Sequence, residues 1–315
     1  MKFWVGTTDW RWFDFLSTRG FDEVNFWQPS IRPPFVNTTG GMPFLFKLKR
    51  PYNHIAGGGF FIRHSAIPLS LAWEIFGSKN GAASLHDLKE LLGPLARERS
   101  ALNEIGCQII ANPFFLKPDQ WLKDPPGWSS NIVRGKMYDA TADDGLVIWE
   151  HVKPWFASNR QGEEFESVES SGAYKLREPA PAKYALERLI RPRIGQGAFR
   201  LALTDAYKRR CAITGESTLP VLEAAHIVPY AGDGDHEVTN GLLLRSDFHK
   251  LFDVGLVGIT PDLRVRVSPQ IREMWFNGKA YYRLENQQLA VVPEDSRCRP
   301  DPDRLHWHMT NIFQE

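Results

Sequence analysis

Two stretches decide how this chain is read: Leu222-Glu-Ala-Ala-His-Ile-Val-Pro229 and Asn240-Gly-Leu-Leu-Leu-Arg-Ser-Asp-Phe-His-Lys-Leu-Phe-Asp253. The first is a short apolar run stopped by a proline, which fits a strand over Val221–Ile227. The second opens with Gly241–Leu244, an apolar run that fits a partner strand. Ser246 is then suited to cap a helix over about Asp247–Phe252, because its hydroxyl can accept from a free first-turn N–H. His226, Asn240 and His249 therefore fall on a strand, at the start of a second strand, and on a helix. They stand 14 and then 9 residues apart. Leu242, Leu244, Leu251 and Phe252 are the apolar residues expected to form the core of this small unit.

Residue identity, spacing and element order resemble the HNH endonucleases with their ββα-metal finger. The likeness extends upstream to Cys211-Ala-Ile-Thr-Gly215 and covers about residues 190–260. It implies a phosphodiester hydrolase that uses one divalent cation, Mg²⁺ or Mn²⁺, and leaves 5′-phosphate and 3′-hydroxyl ends. Such hydrolysis needs an activated water and charge stabilisation at the departing 3′-oxygen. A neutral imidazole, with an ordinary pKa near about 6.5, supplies the first, and a cation the second. On this reading His226 is the general base and His249 a metal ligand. Asn240 is expected to bond backbone across the loop and fix the orientation of His226.

The chain departs from the family pattern at Ala225, where many such enzymes carry an acidic or histidine ligand. Strand side chains alternate, so Glu223 shares a face with Ala225 and is the expected second ligand. Asp247 and Asp253 are the alternatives. Many relatives hold a structural zinc between two Cys-x-x-Cys pairs. Thr214 stands where the partner of Cys211 would fall, so no structural zinc is expected and packing must hold the finger together.

The whole chain has 315 residues, 43% hydrophobic and 24% charged, which predicts two globular domains and argues against wholesale disorder. No apolar run is long enough for a membrane span. Three distant cysteines, Cys107, Cys211 and Cys298, and the lack of a signal-peptide pattern fit a cytoplasmic protein. A net charge of +1 excludes a protein that coats nucleic acid non-specifically. Local charge differs: Arg188 to Arg210 holds seven basic residues and one acidic one, Asp205. Arg193 and Arg200 from this cluster, with Arg245 beside the expected metal helix, are the DNA-contact candidates. His236, in a Gly/Asp-rich loop, reads as solvated. His306 and His308 bracket Trp307 on an expected surface strand.

Composition shifts along the chain place a first domain at 1–157, a polar and Pro-rich linker at 158–183, and the nuclease domain at 184–315. Nine of the eleven tryptophans precede residue 157. The first segment alternates short apolar runs with glycine and proline: Phe3–Gly6, Gly41–Leu48, Ile55–Ile62, Cys107–Phe115 and Gly145–Trp149 read as strands. Pro68–Phe76 and Ser84–Leu92 read as helices. Phe3-Trp-Val-Gly-Thr-Thr-Asp-Trp10, then Gly41-Met-Pro-Phe-Leu-Phe-Lys-Leu48 and Ile55-Ala-Gly-Gly-Gly-Phe-Phe61, resemble the PUA superfamily and its EVE domains in particular. The expected fold class is thus α+β, an N-terminal PUA/EVE-like β-barrel with helices followed by the ββα nuclease domain.

That second resemblance implies a reader of modified cytosine fused to a nuclease, as in modification-dependent restriction enzymes. The expected partner is double-stranded DNA carrying 5-methyl- or 5-hydroxymethylcytosine, and no membrane. A flipped base needs aromatic faces and groups that bond its Watson–Crick edge. Asn25, Trp27 and Gln28 make the best local match, because a mixed amide–aromatic run makes a poor strand core. Asp9 with Trp10, and Asn53 between Tyr52 and His54, come next. Every tryptophan here is also a core candidate. Two other readings share these motifs: a nuclease for unmodified DNA or RNA, and a non-catalytic modified-base sensor. One finger per chain leaves open a homodimer or sequential nicking.

Overall fold

The computed structural model describes residues 1–35, 40–93, 104–129, 131–158, 195–229 and 235–315. The expected linker beyond Ser158, the basic residues Arg188, Arg191 and Arg193, and the Asp/Gly loop ahead of Asp235 lie outside the described residues. The chain divides into two compact units, Met1–Arg193 and Ile194–Glu315.

The first unit is built on β1 (Lys2–Thr8), β2 (Glu23–Gln28), β3 (Met42–Leu48), β4 (His54–Pro68), β5 (Glu104–Phe115), β6 (Leu122–Lys123) and β7 (Gly135–Asp139). Helices α1 (Trp10–Ser17), α2 (Leu69–Phe76), α3 (Leu85–Leu92) and α4 (Asp143–Ser158) complete it. The strand order is β2-β5-β4-β3-β1-β7, with β6 paired to β4. β1 runs parallel to β3 and the other pairs are antiparallel. The expected PUA/EVE-like barrel is therefore corrected: β2 and β7 are the two edges of an open mixed sheet, and no sheet among the described residues closes.

Layering gives the physical reason. Alternate residues of β1 enter two different cores: Trp4 joins Trp12, Phe13 and Leu16 of α1, while Phe3 and Val5 join Ile148, Val152 and Phe156 of α4. All of Met42–Leu48 is buried. A helix thus covers each face, and the sheet meets its need for burial without closing on itself. The apolar run Gly145–Trp149 is correspondingly part of α4 and not a strand. Ile148, Val152 and Phe156, four apart, form its buried stripe. Gly57, inside the expected Gly-rich strand, is required by close approach: a Cβ there would sit 2.3 Å from the Phe114 carbonyl oxygen of β5.

The second unit contains α5 (Gln196–Ala206), β8 (Leu222–His226), β9 (Gly241–Arg245), α6 (Ser246–Asp253), β10 (Val257–Ile259), β11 (Val265–Val267), α7 (Gln270–Trp275), α8 (Lys279–Tyr282) and α9 (Pro302–Asn311). β8 and β9 form an antiparallel pair in which Ala225 faces Leu242 and His226 faces Gly241. Phe199 and Leu203 of α5, Leu242 and Leu244 of β9, and Phe248 and Phe252 of α6 share one core. Leu251 packs at its edge. Cys211 is fully buried, and its Sγ accepts the Arg245 N–H at 3.3 Å, which joins the Cys211–Gly215 knuckle to β9.

Two local expectations change. Ser246 is the first residue of α6 and Arg245 its cap. His306 and His308 lie on α9, a helix started by Asp301, whose carboxylate accepts the Asp303 N–H, with Pro302 in the first turn. The His-Trp-His alternation suggested a strand, but the buried pair is Leu305 and His308, three apart as a helix requires. Among the described residues no helix is long and apolar enough to cross a membrane.

Candidate functional site

His226 is the last residue of β8. Its ring stacks on Phe199, with centroids 4.2 Å apart and planes 13° apart. Its Nε2 lies 3.0 Å from Nδ1 of His236. No other described residue bonds the ring, so Nδ1 is left for a small molecule. Burial is the main cause that lowers the His226 pKa to about 4, and repulsion from His236 and His249 adds to it. The imidazole is therefore neutral at physiological pH and keeps a lone pair.

Asn240 holds the loop that follows. The residue is fully buried. Its Oδ1 accepts the Val228 N–H at 2.9 Å, and its Nδ2 donates to the carbonyls of Val228 at 3.0 Å and Asp235 at 2.9 Å. The Asn240 carbonyl also accepts the Ile227 N–H at 2.9 Å. Both ends of the loop are thus fixed beside His226. Arg304 of α9 adds a two-pronged bond to Asp235 at 2.7 and 2.9 Å, next to His236. This guanidinium keeps the Asp235 carboxyl below its usual range.

His249 projects from α6 between two carboxylates. Its Nδ1 is 2.6 Å from Oε2 of Glu223 and its Nε2 is 3.3 Å from Oδ2 of Asp253. Burial raises the Asp253 pKa, against the pull of His249 and with a push from Glu223. An imidazole and two carboxylates are donors of the kind that bind Mg²⁺, Mn²⁺ or Zn²⁺. They surround the ring and do not yet face a common point. Accordingly, no group of three or more His, Cys, Asp or Glu among the described residues is arranged to hold a metal ion. The donor chemistry fits a cation. Asp247 is engaged elsewhere, in a two-pronged bond from Arg245 at 2.7 and 2.8 Å and a bond from the Tyr281 hydroxyl at 3.3 Å. Arg245 also lies 5.0 Å from the centre of the Phe248 ring.

One cleft of about 400 Å³ gathers the site: His226 and Ala224 of β8, His249 and Asp253 of α6, and His308 of α9 are among the residues that line it. His308 is nearly fully buried, stacked on Phe252 at 3.7 Å, and its Nε2 donates to the Phe252 carbonyl at 3.0 Å. Burial lowers its pKa to about 4. Arg200 turns to the base of β8, where it donates to the Leu222 carbonyl at 3.2 Å. Arg193 lies outside the described residues.

Sequence reasoning missed His236 and His308. A glycine- and aspartate-rich neighbourhood masked the first: the Asn240 clamp was expected, but where it brings the His236 ring is not marked at residue 236 itself. For His308 the usable signal was Asp301-Pro302, a helix start.

The candidates of the first unit fall into two groups. Asn25 and Trp27 converge on Asn80: Nδ2 of Asn25 donates to Oδ1 of Asn80 at 2.9 Å, and Nε1 of Trp27 donates to the Asn80 carbonyl at 2.8 Å. Asn25 is fully buried within β2, so a mixed run does form a strand core here, with the amide Nδ2 bonded to Asn80 and the Oδ1 left without a hydrogen-bond partner among the described residues. Gln28 bonds the carbonyls of Ser30 and Arg32 at 3.0 and 2.6 Å. Asp9 caps α1 by accepting the Arg11 N–H at 3.0 Å. Beside it Trp10 stacks on Tyr52 at 4.6 Å, and Trp121 meets both edge-on. Asn53, next to Tyr52, has a positive φ of 53°. Trp10, Tyr52 and Trp121 are each half-buried, so this aromatic wall reaches solvent.

Comparison with known proteins agrees with the geometry of the second unit. The HNH endonuclease family matches residues 211–260, so an HNH-type domain is present there. No curated protein matches the chain. Among solved structures, one described as "Modification dependent TagI restriction endonuclease" is 14% identical, with 93% of this chain and 78% of that chain covered and a TM-score of 0.27.

Proposed function

We propose that this chain is a divalent-metal-dependent endonuclease for double-stranded DNA that carries a modified cytosine, cut by the HNH-type unit. The observation that carries the cutting part is the shared cleft, with a neutral His226, His249 and Asp253 on its walls and Glu223 bonded to His249. His226 takes a proton from water through Nδ1. For that, its Nε2–H donates to Nδ1 of His236, which selects the tautomer with a free Nδ1 lone pair. Phe199 holds the ring plane and Asn240 holds the loop, so the base is in place before substrate arrives. Glu223 and His249, with Asp253 as the third donor, would hold one cation. That cation, when bound, stabilises charge on the scissile phosphate and the departing 3′-oxygen. Arg245, bonded to Asp247 two residues before His249, would supply a cation to the DNA backbone.

The reading of modified cytosine belongs to the first unit. Its support is the solvent-reaching wall of Trp10, Tyr52 and Trp121, with Asp9 and Asn53 alongside, the group types that hold a flipped base. With one such cleft among the described residues, double-strand cuts take two copies or two successive nicks. The test is digestion of matched duplexes bearing cytosine, 5-methylcytosine or 5-hydroxymethylcytosine, with Mg²⁺ or Mn²⁺ against EDTA. Cutting confined to a modified duplex and abolished by EDTA is expected. Equal cutting of all three overturns the reader assignment alone, and no cutting of any overturns the nuclease.

A further inference from the structure

Helices α7 and α8 carry a patch that the cutting site does not use. Met274, Trp275 and Phe276 are consecutive and exposed, at 59%, 55% and 90%. Phe276 is held outward by its backbone: φ is 55°, a left-handed conformation that a bulky residue adopts only under constraint. The constraint is visible. The Phe276 N–H bonds the Arg272 carbonyl at 2.8 Å, and Gly278, with φ of 111°, turns the chain into α8. Below, Ile271 is buried, and the Tyr282 hydroxyl donates to the Ser268 carbonyl at 2.8 Å and accepts the Arg272 N–H at 3.1 Å. The base of the patch is rigid while its apolar tip stands in water.

The charge that lines the depression beside the tip is of one sign. Arg272, Lys279 and Arg283 line a depression of about 470 Å³ together with Phe276, Asn277 and Tyr282. No carboxylate lines it, and none of the three cations makes an ion pair among the described residues. Glu273, the acidic residue of α7, is exposed and outside the depression. One of the two helices that carry the patch is tied to the helix of His249: Tyr281 of α8 bonds Asp247 of α6, which bonds Arg245.

We infer that this patch is a second DNA contact, in which Arg272, Lys279 and Arg283 take backbone phosphates and Phe276, backed by Trp275, packs against the bases as an apolar wedge. Unpaired cations around an exposed ring match a polyanion that also offers flat apolar faces. A protein partner of ordinary composition would not need three uncompensated cations. The inference rests on the nuclease reading for the identity of the ligand. It adds a point of grip outside the cleft that bends or unstacks the duplex beside the scissile phosphate.

The experiment uses the full chain with His226→Ala to stop cutting, and a labelled duplex carrying 2-aminopurine, a base whose emission rises on unstacking. Phe276→Ala is expected to weaken binding about tenfold, within the range of one lost base contact, and to remove the emission rise. The combined variant Arg272→Gln, Lys279→Gln, Arg283→Gln is expected to reduce the slope of log K against log salt by about 2 to 3, near one per phosphate. These residues are exposed, and an unchanged circular dichroism spectrum confirms that the fold is intact. Wild-type affinity and slope in both variants overturns the inference. So does a dimer in sedimentation that Phe276→Ala dissociates without changing DNA affinity, since the patch would then cover a second copy. The broader reading fails separately: in that case the parent chain binds no duplex and the wild type cuts none.

Discussion

Asn240→Ala separates a structural clamp from a catalytic group. The side chain makes three hydrogen bonds, one from the Val228 N–H and two to the carbonyls of Val228 and Asp235. Each is worth about 1 kcal/mol net, and more when a buried partner is left unsatisfied. Water reaches the half-buried Val228 and Asp235 and recovers part of this. The expected loss is therefore about 2–4 kcal/mol in the unit that holds β8 and β9. With a urea dependence of about 2 kcal/mol per molar, the midpoint of that unit falls by about 1–2 M. Asn240→Asp sharpens the test. A carboxylate can still accept from Val228, but it sets negative charge against two carbonyl oxygens. It should destabilise at least as much as alanine at pH 8 and partly recover in mild acid, when it regains a donor. Urea melts of the full chain, followed in the second unit, give both numbers. A loss below about 0.5 kcal/mol for alanine, or an aspartate variant as stable as wild type, would refute the argument.

Three further outcomes follow from the same geometry. His226 has a pKa of about 4, so cleavage should hold its rate on acidification to about pH 5. Half-loss near the ordinary histidine value, about 6.5, would show that the base is not this desolvated ring. His236→Phe should cut the cleavage rate about tenfold or more with little change in DNA affinity, and His236→Gln, which keeps an acceptor for His226, should restore part of it. Equal rates in the two variants would remove His236 from the proton path. For His308 the sign runs toward acid instability. Its folded pKa of about 4 lies below the unfolded value of about 6.5, so its contribution is complete above 6.5 and lost as pH falls toward 4. The gap corresponds to about 3 kcal/mol. Melting temperature should fall less steeply over that window in His308→Gln than in wild type, and identical slopes would contradict this.

The ββα unit was legible because its pattern is local. Two short, mostly apolar strands of five residues, a proline stop and a short amphipathic helix lie within 32 residues from Leu222 to Asp253, and each element names its own period. The open sheet was not legible for a physical reason. Short apolar strands with glycine breaks serve a closed barrel and a covered open sheet equally well. Which one forms depends on whether β2 meets β7, a pairing across more than a hundred residues that no single strand encodes. The unbroken apolar run Met42–Phe46 was the available hint, because a strand of a small barrel with a wet outer face would alternate. Gly145–Trp149 failed for want of length: five apolar residues fit either period until Val152 and Phe156 extend the helical stripe. At the site, Glu223 could be reached by counting along β8, whereas His236 and His308 are brought in by the Asn240 clamp and by α9. Side chains delivered by loop closure or by a distant helix carry no mark at their own positions.

The most direct measurement is relaxation of supercoiled modified DNA by wild type, His226→Ala and His249→Ala, each with Mn²⁺ and with EDTA. The account predicts nicking by wild type with the ion alone, none by His226→Ala at any metal concentration, and a greatly raised metal requirement for His249→Ala. Nicking by His226→Ala at the wild-type rate would contradict it.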